Sequence, residues 1–133
     1  MLLLDTQVLL WLSAEPHRLG PKSYRRIRTG LANGENSVSA ITFWETAMLV
    51  SKGRYRPVKP VNEWRDDLLA RGLSEISIDG LIATQAGELD WDHGDPADRI
   101  ILTTAMRLGS PLMTADRRIL SWRGPVELID ARA

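Results

Sequence analysis

The stretch DPADRIILTTAMRLGSPLMTAD, Asp95 to Asp116, reads as a helix that feeds a strand. An aspartate directly before a proline fits a helix cap followed by the first helical position, where proline's fixed φ is already helical and its missing N–H is not needed. Asp95 is then the cap, and Asp98 falls in the third helical position. Counting by helical steps, Asp98 shares a stripe with Ile101, Leu102, Ala105 and Leu108, the side that faces a core. SPLMTAD follows as a short apolar strand running into a loop at Asp116. An acid at the end of a buried stripe is costly to desolvate unless it is paired or metal-bound. Asp98 is therefore the aspartate of interest, with a salt bridge to a basic residue as its alternative role.

The same helix–strand alternation extends in both directions. LLLD, Leu2 to Asp5, is an apolar strand meeting its loop, and TQVLLWLSA follows at helical spacing. PKSYRRIRTGLANG opens with a proline suited to a first helical turn and stops at Gly34. NSVSAI, Asn36 to Ile41, reads as a strand, and TFWETAMLVSKG returns to helix and ends at Gly53. Beyond a linker with Pro57 and Pro60, VNEWRDDLLARG reads as a helix capped by Asn62 before Glu63. LSEISI alternates as a strand, DGLIATQAGEL is helical, RRILSW is a short helix and PVELIDA a last strand. This order predicts one domain over residues 1–133, a three-layer α/β/α sandwich with a mostly parallel central sheet.

Composition narrows the chemistry. Apolar residues make up 44% and charged residues 26%, ordinary for a globular domain. The chain has no cysteine, which excludes disulfides, thiolate zinc sites and a cysteine nucleophile. Its only histidines are His17 and His93, too few for a multi-histidine centre, so a metal site here is expected to use oxygen ligands. Lys plus Arg equals Asp plus Glu at 17 each, so no global field marks a polyanionic partner. Basic clusters do occur, at Lys22–Arg28, Ser51–Lys59 and Asp116–Arg118. The start MLLLDTQ has no charged leader region, and no stretch approaches the ~20 apolar residues of a membrane span. The expected setting is the cytoplasm.

In an open parallel sheet, ligands bind outside the carboxyl ends of the strands. Asp5 ends the first strand and Asp116 stands just past PLMT. Glu45 is expected in the first turn of the helix leaving NSVSAI, and Asp98 in the first turn of its own helix. Four carboxylates on one edge repel: at an effective dielectric near 20, a pair ~5 Å apart costs about 3 kcal/mol. Either protons or a divalent cation must relieve that. Oxygen ligands suit magnesium or manganese, and such ions can activate water against a phosphodiester. Taken singly, each acid also has a structural reading. Asp5 and Asp116 are good N-caps, and Thr42 with Glu45 matches a capping box.

The strand ending in Asp5–Thr6, the TFWETAM helix with Glu45, the block HGDPADRIILTTAMRLGSPLMTAD and a length near 130 together resemble a PIN-domain ribonuclease. More narrowly they resemble the VapC-type toxins of bacterial toxin–antitoxin pairs, along essentially the whole chain. The resemblance implies an α/β/α sandwich and a magnesium- or manganese-dependent endoribonuclease acting on RNA. It also implies a homodimer, inhibited by an antitoxin whose C-terminal segment lies in or over the cleft. Asp5, Glu45, Asp98 and Asp116 map onto the family's acidic metal site. Thr6 and Thr114 take positions where hydroxyls support the first and last acids.

RNA binding rests largely on phosphate contacts, and Arg99 and Arg117, each beside a site aspartate, are the expected ones. Lys52, Arg54 and Arg56 sit at the far end of the Glu45 helix and are read as solvated or partner-facing. Trp11 and Trp44 lie near helix starts by the cleft, and His93 reads as a turn residue. Two alternatives remain at this level. One is a PIN nuclease of RNA processing with no antitoxin. The other is a phosphoacceptor signalling domain, which needs a lysine after a late strand, whereas the last lysine here is Lys59.

Overall fold

The computed structural model describes residues 1–133. Five short strands, β1 (Leu2–Leu4), β2 (Asn36–Ser39), β3 (Ser74–Ile76), β4 (Leu112–Thr114) and β5 (Leu128–Asp130), form one sheet in the order β3-β2-β1-β4-β5. Every pairing is parallel, as expected. The helices are α1 (Thr6–Ala14), α2 (Pro21–Asn33), α3 (Ile41–Ser51), α4 (Val61–Ala70), α5 (Gly80–Glu88), α6 (Pro96–Leu108) and α7 (Arg117–Leu120). No helix is long and apolar enough to cross a membrane.

Period-two alternation sorts the strand residues between two cores. Leu2 and Leu4 of β1 and Met113 of β4 join Val8, Leu9, Ile27 and Val38 on one face. Leu3 and Leu112 point the other way and pack with Ile101, Leu102, Ala105 and Ile119. Helices thus cover both faces, which the near-continuous apolar strands require.

The chain leaves β1 toward β2 and β3, then returns to place β4 on the other flank of β1. The point where that direction reverses lies between the carboxyl ends of β1 and β4, the position where open α/β sheets bind ligands. Asp5 and Asp116 follow those two ends directly or within two residues. α6 enters β4 through only Gly109, Ser110 and Pro111, so its N-terminus must lie at the opposite, carboxyl edge. That geometry carries Asp98 to the cleft although no strand directly precedes it.

Helix ends follow local chemistry. Asp95 Oδ1 accepts from the N–H groups of Ala97 at 2.9 Å and Asp98 at 3.2 Å, with Pro96 first in the helix. Gly34 and Gly109 stop α2 and α6 at φ 66° and 60°, the left-handed conformation that glycine adopts at least cost.

Four expectations are corrected. α3 begins at Ile41, one residue before Thr42, so Thr42 is inside the helix and no capping box with Glu45 forms. Glu45 consequently lies past the first turn. α4 starts at Val61 with Pro60 at the cap position, and Asn62 caps nothing. The α6 stripe is buried through Ala105, but Leu108 in the last turn is 40% exposed.

Candidate active site

Asp5, Glu45, Asp98 and Asp116 all line one cleft of about 450 Å³ at the carboxyl edge of the sheet. Asp95 lines it too, although its carboxylate caps α6.

A nearly continuous hydrogen-bonded chain fixes these acids. Asp5 is only 6% exposed. Its Oδ1 accepts from Thr6 N at 2.8 Å and its Oδ2 from Thr114 Oγ1 at 2.7 Å. The Thr6 hydroxyl, expected to support Asp5, instead donates to Glu45 Oε1 at 2.5 Å and lies 3.0 Å from Thr42 Oγ1. One hydroxyl proton serves one acceptor, so Thr42 is the donor in that second contact. Thr114 Oγ1 in turn accepts from Asp116 N at 3.0 Å. Asp116 caps α7 by accepting from Arg118 N at 2.8 Å. For Asp5 and Asp116, capping a helix is therefore compatible with a place in the cleft wall. Each uses one oxygen on backbone at a helix start, and each still faces the cleft.

Asp98, 8% exposed, is held differently. Its Oδ2 lies 2.6 Å from His93 Nε2, and Arg118 Nη1 lies 3.2 Å from His93 Nδ1. The Trp91 ring packs edge-on against the imidazole at 4.6 Å. The basic partner weighed for Asp98 is thus a histidine that reads from sequence as a plain turn residue. His93 stands two residues before the Asp95 cap, and the turn between them lays its ring over the first turn of α6, which no residue spacing announces.

The electrostatics record the crowding. Burial pushes the Asp5 carboxyl up to about 6, with repulsion from Asp98 and Asp116 adding to it and the Thr114 bond opposing it. Burial likewise raises Glu45 to about 7, opposed by Thr6 and reinforced by Asp5, Asp98 and Asp95. Asp98 is raised by burial and by Asp95 and Asp116, against the stabilising His93 bond. Buried carboxylates that resist ionising beside one another are what a divalent cation relieves. Ligand atoms of His93, Asp98 and Asp116 lie within 4.8 Å of one another. The oxygen-rich donor set fits a hard cation of the magnesium or manganese type.

The cations of the cleft are Arg18, Arg118 and Arg132. Arg18 and Arg132 both stack on Trp11, at 5.7 and 5.5 Å from its ring centroid, and Arg132 Nη1 donates to the carbonyl of Ala115 at 2.7 Å. Arg99 does not join them. Its guanidinium donates to the carbonyls of Ala86, Gly87, Leu89, Trp91 and His93 at 2.6–3.3 Å, which closes the end of α5 and shapes the following loop. Arg117 is exposed and does not line the cleft. Trp44, 55% exposed on α3, is also outside it, whereas Trp11 forms part of its wall. Lys59, the lysine a phosphoacceptor site would need, pairs with Asp67 on α4.

A parallel sheet with acids gathered at the reversal of strand order defines the class: the chain belongs to the PIN domain family, whose model matches residues 2–123. Within that class it is 38% identical over 124 residues to Ribonuclease VapC22 of Mycobacterium tuberculosis, covering 92% of each protein. Solved structures share the fold. VapBC2 from Rickettsia felis, bound to a DNA fragment from its promoter, aligns with TM-score 0.68 at 20% identity over 96% of both chains. A toxin–antitoxin complex from Klebsiella pneumoniae aligns with TM-score 0.61 at 21% identity, over 96% of this chain and 99% of that one.

Proposed function

We propose that this protein is a divalent-metal-dependent endoribonuclease that hydrolyses RNA phosphodiester bonds, the toxin of a toxin–antitoxin pair. The observation that carries the reading is the convergence of Asp5, Glu45, Asp98 and Asp116 on one cleft, three of them with raised proton affinity. The similarity to a relative named as a ribonuclease supports it.

Asp5, Glu45, Asp98 and Asp116 would hold Mg2+ or Mn2+, and Thr6 and Thr114 orient the carboxylates. When bound, such a cation would supply Lewis acidity toward a phosphodiester and offset negative charge beside these carboxylates. Arg18 and Arg132, braced on Trp11, bind flanking phosphates and set the strand's direction across the site. Burial raises the Glu45 carboxyl to about 7, so protons would compete with a cation there and affinity would rise with pH.

The partner reading comprises a cognate antitoxin and a homodimer. An apolar groove of about 630 Å³ between α1, α2 and α4, with Leu9, Leu12, Leu31, Trp64 and Leu68 in its wall, offers an antitoxin helix a seat. The proposed setting is the cytoplasm.

Asp98→Asn tests the reading. The amide keeps an oxygen for His93 Nε2–H, so the fold is retained while the ligand charge is lost. Magnesium-dependent cleavage of RNA should vanish with thermal stability near wild type. Full activity in that variant would overturn the assignment.

A further inference from the structure

Arg118 and Arg99 fix His93 from two sides. An arginine N–H is a donor only, so the Arg118 contact at 3.2 Å requires a lone pair on His93 Nδ1. In the neutral ring the proton then sits on Nε2, the nitrogen 2.6 Å from Asp98 Oδ2. Arg99 Nη1 holds the backbone carbonyl of His93 at 3.1 Å, so the same loop is anchored at main chain and ring. The imidazole side chain is only 10% exposed, and Trp91 closes one edge of it. A nitrogen that carries a proton offers no lone pair to a cation. Proximity of His93 to Asp98 and Asp116 would otherwise make it a tempting third ligand.

We propose that His93 is a positioning residue for Asp98: locked in one tautomer by Arg118, it donates Nε2–H to Oδ2 and aims the other oxygen into the cleft, without itself ligating. The inference rests on the metal-site reading above. It links the cleft-lining Arg118 to Asp98, because Arg118 touches two site acids at once, Asp116 through its backbone N–H and Asp98 through His93. Partners of this kind, one bond removed from a metal, commonly alter affinity by about 10–100-fold when deleted.

Manganese binding to the purified full-length protein, read from the electron paramagnetic resonance signal of free Mn2+ at fixed pH, tests it without relying on turnover. His93→Ala should weaken binding about tenfold or more, and His93→Gln should return it to within about threefold of wild type. Glutamine places an amide N–H where Nε2 stood. Arg118→Ala, an exposed change that frees the tautomer, should weaken binding several-fold, and it decides the matter should His93→Ala fail to fold. Wild-type affinity in His93→Ala, or in Arg118→Ala, overturns the proposal. So does a glutamine variant as weak as alanine, the result expected if the ring itself were a ligand. A wild-type protein that binds no Mn2+ overturns the metal site and this inference together. Binding that Asp98→Asn abolishes and His93→Ala leaves intact overturns the inference alone.

Discussion

Thr114 Oγ1 lies 2.7 Å from Asp5 Oδ2, a hydrogen bond between the carboxyl ends of β1 and β4 across 109 positions of sequence. Sheet register creates it. Leu4 pairs with Met113, and Asp5 N donates to the Met113 carbonyl at 3.0 Å, which brings Thr114 beside the carboxylate. The same hydroxyl accepts from Asp116 N, so one threonine sets two acids. Thr114→Val keeps the shape and removes both bonds. The Asp5 carboxyl should rise above its already elevated value of about 6, because the Thr114 bond opposes that rise. The acidic limb of the pH–rate profile should move to higher pH, with kcat at neutrality down about tenfold. A pH–rate series against wild type measures it.

Stability of the metal-free protein should fall as pH rises from about 4 toward 7. Asp5 titrates near 6 in the fold, against 3.8 for the free side chain, so the folded state holds more protons across that window. The native acid is at its most favourable when neutral, so stability is lost as pH rises through that window and levels off above the folded value. The Asp5 shift alone corresponds to about 3 kcal/mol. Melting curves in EDTA from pH 5 to 8 should show the decline, and Mn2+ should raise the melting temperature more at pH 8 than at pH 5.5. Asp5→Asn should flatten the dependence.

Arg99 is a structural clamp, and lysine cannot replace it. Five carbonyls converge on a planar fork with five donors, whereas an ammonium offers three donors from one point. Arg99→Lys and Arg99→Ala should both destabilise by about 2–4 kcal/mol in urea unfolding. Faster amide exchange should be confined first to the loop between α5 and α6.

On the proposed reading, Arg18 lies on the RNA path. It pairs with Glu15 at 2.9 Å and stacks on Trp11 at the cleft wall. Arg18→Ala should raise KM several-fold with little change in kcat. The salt dependence of single-stranded RNA binding should lose about 0.7 from its log–log slope, one phosphate contact. Titrations at several salt concentrations read this directly. Arg117→Ala, outside the cleft, should leave the slope unchanged.

Much of the molecule is legible from local pattern. Asp95, Pro96 and Asp98 announce cap, first position and inward-facing acid, because those assignments depend only on backbone geometry within one turn. The glycine stop of α2 and the apolar strands are legible for the same reason. Misreadings cluster where a neighbour in sequence is not the neighbour in space. Arg99 adjoins Asp98 in the chain, yet on a helix adjacent residues point about 100° apart, and its guanidinium turns back onto the end of α5. Thr42 matches a capping box by spacing, but its hydroxyl meets Thr6 on another helix, and the helix begins one residue earlier.

By itself the sequence determined the elements, the strand-end placement of Asp5 and Asp116, and the inward face of Asp98. Short-range sterics and hydrogen-bond supply decide those. Thr6 and Thr114 stood out as supporting hydroxyls, but only the tertiary structure decided that Thr114 serves Asp5 and Thr6 serves Glu45, and it alone brought His93 with Arg118 to Asp98. Those partners meet through strand order, register and a loop folded over a helix start. These are long-range choices, made by burying two apolar faces of one sheet, and no local spacing records them.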